Sequence, residues 1–213
     1  MSTPITHTIE NNNVKTYLAL GDSYTIGEAV KQDESFPFQL QNLLQQKGIN
    51  VAQPKIIAKT GWTTDELQQA IADEKLTQKF DFVTLLIGVN NQYRGYSIDI
   101  YKKEFAALLQ TALKFANGDK GKVFVISIPD WGVTPFGISS GKNQAQIASE
   151  IDNFNQINQE ITQAAGISYT NITPHSRTAS SNISLVACDQ LHPSGLMYNY
   201  WAIALCPKIA VKF

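Results

Sequence analysis

The sequence predicts an α/β fold in which a parallel β-sheet is covered by helices on both faces. Short apolar runs typical of strands alternate with amphipathic helical patterns, and the connections between them are short. The run 82–87 is almost entirely apolar, as expected of a strand buried on both faces. With 213 residues, of which 43% are hydrophobic and 16% charged, the chain suits one domain. We expect that domain to occupy residues 15–213, after a polar tail at residues 1–14.

Five segments have the composition of strands. The first ends at Gly21, the fourth is stopped by Pro129 and the fifth is short. Pro54 interrupts the second segment, which predicts an outer position in the sheet or a late start, because proline cannot donate a ladder hydrogen bond. The predicted strands cover residues 16–20, 51–58, 80–87, 123–128 and 167–170.

Five further segments carry helical periodicity or helix-boundary signals. Gly48 is the expected end of the first helix. Thr63 followed by Glu66 is a capping-box pattern that opens the second. Gly118 follows the third, and the last helix begins near Ser194. The predicted helices cover residues 36–47, 98–116 and 143–165, with one starting after residue 63 and one near residue 194.

Composition and charge exclude several classes of partner. The net charge is −1 and no basic stripe is present, so we expect neither a nucleic-acid nor an anionic-membrane surface. No run approaches ~18 apolar residues, so we expect no membrane span. The N-terminal residues lack an apolar leader segment, which predicts a cytoplasmic protein unless a leader has been removed. For Cys188 and Cys206, two free thiols are favoured over a disulfide. The oligomeric state is not predicted.

Four short polar strings follow apolar runs, where an open α/β sheet presents the carboxyl ends of its strands. Together they supply a serine nucleophile, a histidine base near an aspartate, and two additional hydrogen-bond donors. These are the groups that acyl transfer to and from an ester requires. The strings are Gly21-Asp22-Ser23-Tyr24, Thr60-Gly61-Trp62, Gly88-Val89-Asn90-Asn91 and Asp189-Gln190-Leu191-His192.

The catalytic candidates are Ser23, His192 and Asp189. A serine hydroxyl needs a base within hydrogen-bond reach to attack a carbonyl at neutral pH. Of the three histidines, His7 lies in the tail and His175 is the weaker loop candidate. Asp189 and His192 are three residues apart, so in a turn they point to the same side and the carboxylate can fix the imidazole tautomer. The alternatives are a turn serine and an aspartate that caps the backbone beside a surface histidine.

Gly61 and Asn90 are the candidate donors to an oxyanion. Gly61 can offer its backbone N–H without a side chain in the way, and Asn90 can offer its side-chain amide. The alternative is that both residues simply form turns. The aromatic residues Trp62, Tyr93 and Trp131 lie in or beside the same loops and either contact substrate or close the loops over the core.

The four strings, in this order from Ser23 to His192, resemble the four sequence blocks of the SGNH hydrolases, also called GDSL-type esterases and lipases. Tyr24 stands where the shorthand name has leucine, and Asn91 stands where aspartate is frequent. Neither departure falls on a residue with a catalytic role. The resemblance implies a flavodoxin-like three-layer α/β/α sandwich with a five-stranded parallel sheet. It also implies no metal and no organic cofactor.

The resemblance further implies roles for individual residues. Ser23 would be the nucleophile, His192 the base and Asp189 its partner, with the Ser23 and Gly61 N–H groups and the Asn90 amide as oxyanion donors. The leading hypothesis is a serine esterase acting on a small or medium acyl ester. The alternatives are a carbohydrate O-deacetylase, a non-catalytic binding module, and a metal-dependent hydrolase that would have to use Asp22, Asp189 and His192.

Overall fold

The sheet of the protein is five-stranded and entirely parallel, as predicted. The computed structural model describes residues 14–213. The predicted polar tail at residues 1–14 therefore lies, apart from Val14, outside the described residues. The strand order is β2-β1-β3-β4-β5. The strands are β1 (Tyr17–Asp22), β2 (Lys55–Lys59), β3 (Phe82–Leu86), β4 (Val123–Ile126) and β5 (Ser168–Thr170).

Helices cover this sheet in two groups. Helix α2 packs against α9, and α5 packs against both α3 and α7, which gives the expected three-layer α/β/α arrangement. The longer helices are α2 (Phe36–Gln46), α3 (Thr64–Glu74), α5 (Ile98–Phe115), α7 (Gln144–Ala164) and α9 (Gly195–Ala210). The shorter ones are α1 (Ser23–Ile26), α4 (Val89–Tyr93), α6 (Pro135–Ser139) and α8 (Thr173–Ser176). Single 3₁₀ turns lie at Gln32–Glu34, Lys120–Lys122, Trp131–Val133, Arg177–Ser180 and Ile183–Leu185.

Several local signals act as the sequence predicts. Strand β2 lies at the edge of the sheet and begins directly after Pro54, so both consequences expected of that proline are confirmed. Strand β3 lies at the centre, and all five of its residues are buried. At the start of α3, the Thr63 N–H donates to Glu66 Oε2 at 2.9 Å, which confirms the capping box.

The first strand is longer than predicted, and this brings Ser23 closer to the sheet. Gly21 and Asp22 remain in register with Ala58 and Lys59 of β2, so β1 continues for two residues beyond Leu20. Ser23 then follows the strand directly instead of three residues after it. A Cβ atom on Gly21 would lie 2.4 Å from the Leu86 carbonyl oxygen, so only glycine fits at this close approach of two strands.

The connections at residues 24–35, 88–97, 129–142 and 172–193 contain the four short helices, except that α1 begins one residue earlier, at Ser23. Each of these helices lies after the carboxyl end of a strand and fills space at that edge of the sheet. Cys188 is exposed, Cys206 is buried, and both thiols are free, as the favoured prediction had it. Within residues 14–213, no helix is both long enough and apolar enough to cross a bilayer.

Candidate active site

A cavity of about 210 Å³ lies at the carboxyl edge of the sheet and joins three of the predicted catalytic and oxyanion residues. Ser23 is the first residue of α1, directly after β1, and Asn90 is the second residue of α4, just after β3. His192 reaches the same cavity from the loop before α9. The lining residues are Ser23, Tyr24, Val89, Asn90, Tyr93, Trp131, Phe136, Leu191 and His192. We call this space the Ser23 cavity.

The loop that carries Asp189 and His192 is held by its own hydrogen bonds. Asp189 Oδ1 accepts from the backbone N–H groups of Leu191 and His192, both at 3.0 Å. Across the base of the loop, the Ala187 N–H donates to the His192 carbonyl at 2.7 Å. Gln190 adopts a left-handed backbone with φ of 67°, which lets the chain reverse between Asp189 and His192. These contacts fix the histidine ring relative to the carboxylate.

The His192 ring contacts the carboxylate through one defined nitrogen. His192 Nδ1 lies 2.5 Å from Asp189 Oδ2. Burial opposes the charged form of Asp189, but hydrogen bonds from the His192 ring and from two backbone N–H groups outweigh it and lower the carboxyl pKa. An ionised carboxylate only accepts hydrogen bonds, so Nδ1 carries the proton and Nε2 is left as an acceptor. The His192 ring also makes an edge-to-face contact with the Tyr24 ring, at 5.7 Å between ring centroids, and this contact further orients it.

Ser23 is nearly buried and lies beside this ring in the same cavity. Its exposed fraction is 4%, and that of His192 is 8%. Within residues 14–213 no hydrogen bond joins the Ser23 hydroxyl to the His192 ring. In enzymes of this chemistry such a bond often tightens only in the complex with substrate.

The two neighbouring asparagines of α4 have different partners. Asn90 lines the Ser23 cavity, and its Nδ2 donates to the Trp62 carbonyl at 2.9 Å. Asn91 is fully buried, and its Oδ1 accepts from the Thr64 N–H at 3.1 Å while its Nδ2 donates to Thr64 Oγ1 at 2.7 Å. Asn90 therefore retains one amide N–H for a ligand, whereas Asn91 ties α4 to the start of α3.

Gly61 lies near this group but does not line the Ser23 cavity. It has a left-handed backbone with φ of 86°, which favours glycine. Arg94 Nη2 donates to the Gly61 carbonyl at 2.6 Å, and the same guanidinium forms an ion pair with Glu66 at 3.3 Å. The position of this turn is therefore fixed from outside the cavity.

Two of the three aromatic candidates for substrate contact line the cavity and one does not. Tyr93 and Trp131 form part of the wall, with their ring centroids 5.2 Å apart. Trp62 is half-buried and lies outside the lining. Phe136 completes the wall beside Trp131, with 6.1 Å between the two ring centroids.

A chain of buried hydrogen bonds fixes the Trp131 ring. Trp131 Nε1 donates to Gln92 Oε1 at 2.8 Å, and Gln92 Nε2 donates to Glu150 Oε2 at 2.7 Å. Behind the ring lies a second cavity of about 20 Å³, which is lined by Tyr24, Trp131 and Leu191 as well as by deeper residues. Trp131 is therefore part of the wall that the Ser23 cavity shares with this second cavity, which we call the inner cavity.

Neither Asp22 nor His175 lines the Ser23 cavity. Asp22 is fully buried; its Oδ1 accepts from the Tyr24 N–H at 3.0 Å, while Oδ2 has no partner. Burial raises the Asp22 pKa to about 7. His175, in α8, makes an edge-to-face contact with Tyr200, at 4.3 Å between ring centroids. Among residues 14–213, no group of three or more His, Cys, Asp and Glu side chains is arranged to hold a metal ion.

Sequence reasoning missed the residues that support the site. Arg94 donates to the Gly61 carbonyl, and Gln92 accepts from the Trp131 ring. The buried Asn91 accepts from the first N–H of α3. All three follow Asn90 within four positions, and a run of polar residues directly after a buried strand was the available signal. The pattern does not reveal the partners, because these come from distant parts of the chain.

Comparison with known proteins agrees with the motifs and the fold. The family model of the GDSL-like lipase/acylhydrolase family matches residues 19–200. A search of curated proteins finds no relative. Similar solved structures include TesA, with 15% identity over 93% of this chain and 100% of that chain and a TM-score of 0.70. The lipase/acylhydrolase from Enterococcus faecalis has 19% identity over 93% of this chain and 97% of that chain, with a TM-score of 0.69.

A further similar structure is Axe2, an acetylxylan esterase from Geobacillus stearothermophilus, with 17% identity over 92% of this chain and 94% of that chain and a TM-score of 0.70. At such identities the structural similarity shows the fold. The family match is independent of it and extends across most of the sequence. The chain therefore belongs to the GDSL-like lipase/acylhydrolase family.

Proposed function

We propose that this chain is a serine esterase that hydrolyses a carboxylic ester with a small or medium acyl group through an acyl-enzyme intermediate. One observation carries the proposal: His192 Nδ1 lies 2.5 Å from Asp189 Oδ2, and the same ring lines one cavity with Ser23. This is the relationship that activates a serine hydroxyl, with the base oriented by a third group.

In the proposed reaction, His192 Nε2 takes the proton of Ser23 Oγ as that oxygen bonds to the ester carbonyl carbon. The tetrahedral intermediate then expels the alcohol, which receives the proton from His192, and the acyl group remains on Ser23. A water molecule, deprotonated by His192 in the same way, then attacks the acyl carbon. The second tetrahedral intermediate expels Ser23 Oγ, which takes the proton back from His192, and the carboxylic acid is released. Asp189 stabilises the imidazolium formed in both steps, and its lowered pKa fits that role.

The oxyanion of each tetrahedral intermediate needs donors that are already oriented. Asn90 is the best supported of them, since it lines the cavity with one amide N–H engaged by the Trp62 carbonyl and the other uncommitted. The engaged N–H holds the amide in place before the reaction begins. We assign the backbone N–H groups of Ser23 and Gly61 as the other donors, consistent with the Arg94 contact that fixes the Gly61 turn.

The size and lining of the Ser23 cavity support a short acyl group. Its volume of about 210 Å³ is below the ~300–1,000 Å³ of sites for drug-sized ligands. Side chains of Val89, Trp131, Phe136 and Leu191 make much of its wall apolar. An apolar acyl chain gains about 0.8 kcal/mol for each buried methylene, so the chain that fills the cavity without strain should react best.

The same chemistry also serves a carbohydrate O-deacetylase, and this is the second candidate. An acetyl group is a small acyl group that suits the cavity, and Axe2, which shares the fold, is an acetylxylan esterase. A non-catalytic binding module would need neither the oriented histidine nor the serine. A metal-dependent hydrolase would need Asp22 as a ligand, and that carboxylate is fully buried.

A series of p-nitrophenyl esters of increasing acyl length, run beside acetylated sugars, tests the proposal. We expect hydrolysis of short-chain esters, its loss in Ser23→Ala, and labelling of Ser23 by a serine-reactive phosphonate. Ser181→Ala, at an exposed serine that does not line the cavity, is the matched control. Labelling of another serine, or full activity in Ser23→Ala, would refute the assigned nucleophile.

A further inference from the structure

We infer that a groove running from the Ser23 cavity along helix α7 binds a neutral oligosaccharide as the alcohol part of the substrate. This inference rests on the proposed esterase function and adds a binding site to it. The groove consists of two cavities, of about 340 Å³ and about 510 Å³, which lie between α7 and the segment that connects α4 to α5. We call the two together the α7 groove.

The α7 groove is continuous with the Ser23 cavity through shared wall residues. Tyr93 lines both the Ser23 cavity and the nearer part of the groove. Gln92, Gly95 and Glu150 line both the nearer and the farther part. A ligand whose ester carbonyl is at Ser23 can therefore extend over Tyr93 into the groove.

One face of α7 forms the long wall. Its residues at positions 146, 147, 150, 153, 154, 156 and 157 line the groove together with the capping residue Asn143, and they follow the three-to-four spacing of one helix face. At 1.5 Å per residue, this wall extends for about 21 Å, which exceeds the needs of a single small alcohol. The length points to an extended, repeating ligand.

The chemistry of the lining fits neutral hydroxyl groups. Amide side chains recur along it, at Gln92, Asn143, Gln146, Asn153 and Gln156. An amide offers both donors and acceptors, and so does a sugar hydroxyl, so the two can pair in either direction. Equally important, an amide carries no charge, so it gives no preference for an ionic ligand.

The charges of the lining balance. Among the described lining residues, Lys142 is the one cation and Glu150 the one carboxylate. Both oxygens of Glu150 already accept hydrogen bonds, from Gln92 at 2.7 Å and from Gln146 at 2.8 Å. Lys142 lies over the Tyr93 ring, at 4.2 Å from its centroid. A phosphate or polycarboxylate ligand would find only one cation.

The aromatic rings provide flat surfaces for sugar rings. Tyr93, at the junction with the Ser23 cavity, is 44% exposed, and Tyr96 lines the farther part of the groove. A tyrosine combines an apolar face with a polar tip, which suits a ring whose faces are apolar and whose edges carry hydroxyls. A long acyl chain would instead require a continuous apolar lining, and the amides interrupt it.

Calorimetry on the full chain tests the groove directly with three neutral probes: xylohexaose, cellohexaose and fully N-acetylated chitohexaose. We expect at least one to bind, and Asn153→Trp, which fills the farther part, to weaken that binding at least tenfold. Gln163→Trp, which adds the same ring to an exposed site on α7 outside the groove, is the control and should bind as the wild type does. Absence of binding by all three probes overturns the inference.

Kinetics supply the second readout and separate this inference from the esterase proposal. For acetylated forms of the probe that binds, kcat/KM should rise with the number of sugar units. Asn153→Trp should lower the ratio of kcat/KM on the acetylated hexamer to that on p-nitrophenyl acetate at least tenfold. An unchanged ratio, or a selective loss on long-chain p-nitrophenyl esters, overturns the inference and assigns the groove to another ligand. If the wild type hydrolyses no ester although a probe binds, the esterase proposal alone fails.

Discussion

The neighbouring asparagines Asn90 and Asn91 offer a matched pair of substitutions with opposite expected effects. Asn90→Ala removes a proposed oxyanion donor and should lower kcat with little change in KM, because the amide interacts with charge that exists mainly in the transition state. Asn91→Ala removes a buried link between two helices and should lower stability while largely sparing kcat. The two side chains have the same composition, so any difference arises from their positions.

The structure sets the size of each effect. We expect Asn90→Ala to lower kcat roughly 10²–10³-fold, which corresponds to about 3–4 kcal/mol of transition-state stabilisation. This is the typical loss when one oxyanion donor is removed from an enzyme. The same variant loses one hydrogen bond to the Trp62 carbonyl, which costs only about 1 kcal/mol of stability. Asn91→Ala leaves the buried Thr64 N–H without a partner, which costs about 1–3 kcal/mol. It also removes one hydrogen bond to the Thr64 hydroxyl, which keeps its bond to Glu104, and this loss costs about 1 kcal/mol.

The stability difference is large enough to measure by thermal unfolding. For a chain of this size, 1 kcal/mol corresponds to about 2–4 °C in Tm, so Asn91→Ala should lower Tm by roughly 5–15 °C and Asn90→Ala by a few degrees at most. The assay is steady-state hydrolysis of p-nitrophenyl acetate, at a temperature where both variants are folded. If Asn91→Ala loses kcat and Asn90→Ala does not, the donor is wrongly assigned. If Asn90→Ala raises KM and leaves kcat unchanged, the Asn90 side chain binds the ground-state substrate and is not an oxyanion donor.

Three further perturbations test other parts of the site. His192→Ala should lower kcat by several orders of magnitude, whereas His175→Ala should have little effect. The reason is that, of these two histidines, only His192 reaches the Ser23 cavity. The reverse outcome would assign the base to His175. Trp131→Leu should open the inner cavity and so shift the preferred acyl chain of a p-nitrophenyl ester series to greater length. Each additional buried methylene should raise kcat/KM about fourfold. An unchanged preferred chain length would contradict the assignment of Trp131 to the cavity wall. Asp22→Asn should become increasingly stable relative to the wild type as pH rises from about 4 to 8. The folded-state pKa of Asp22 is about 7, above its usual value of 3.8, so the folded wild type binds the proton more tightly and loses up to about 4 kcal/mol over that range. Urea unfolding at several pH values measures this difference, and parallel curves for the two proteins would refute the assigned ionisation.

The fold class could be predicted from the sequence because its signals are local. The apolar run of β3 and the proline before β2 each act through the backbone of their own segment. The sheet order β2-β1-β3-β4-β5 could not be predicted in the same way. It depends on which face each connecting helix crosses, and that choice is made by packing between distant elements such as α2 and α9.

Candidates for the reacting groups could also be proposed from the sequence, because their chemistry restricts them to few residue types. The candidates for the base are three histidines, and outside the polar tail His192 is the one with a carboxylate three residues away. The cavity walls carry no such restriction. Trp62 and Tyr93 have similar sequence contexts, beside a polar string after a strand, yet only Tyr93 lines the Ser23 cavity. The direction of a loop aromatic is decided by what packs behind it.

Helix α4 shows why the supporting residues lie beyond sequence reasoning. Successive residues of a helix are rotated by about 100°, so three adjacent polar side chains point in three directions. Asn90 faces the Ser23 cavity, Asn91 faces Thr64, and Gln92 faces Trp131 and Glu150. A start of α4 one residue earlier or later would exchange these roles.

That starting point is set by Gly88, the residue before α4. Its φ of 130° lies where side chains are strained, and a Cβ atom there would be 2.8 Å from Ile128 Cδ1 and 2.7 Å from Tyr101 Cε2. Glycine therefore allows β3 to turn into α4 directly above the core. Since α4 carries the proposed oxyanion donor, the link to α3 and the support of Trp131, one backbone position coordinates three parts of the site. The residue types of α4 do not show which of its polar side chains faces the Ser23 cavity. The direction of each side chain depends on where the helix begins, and Gly88 determines that position.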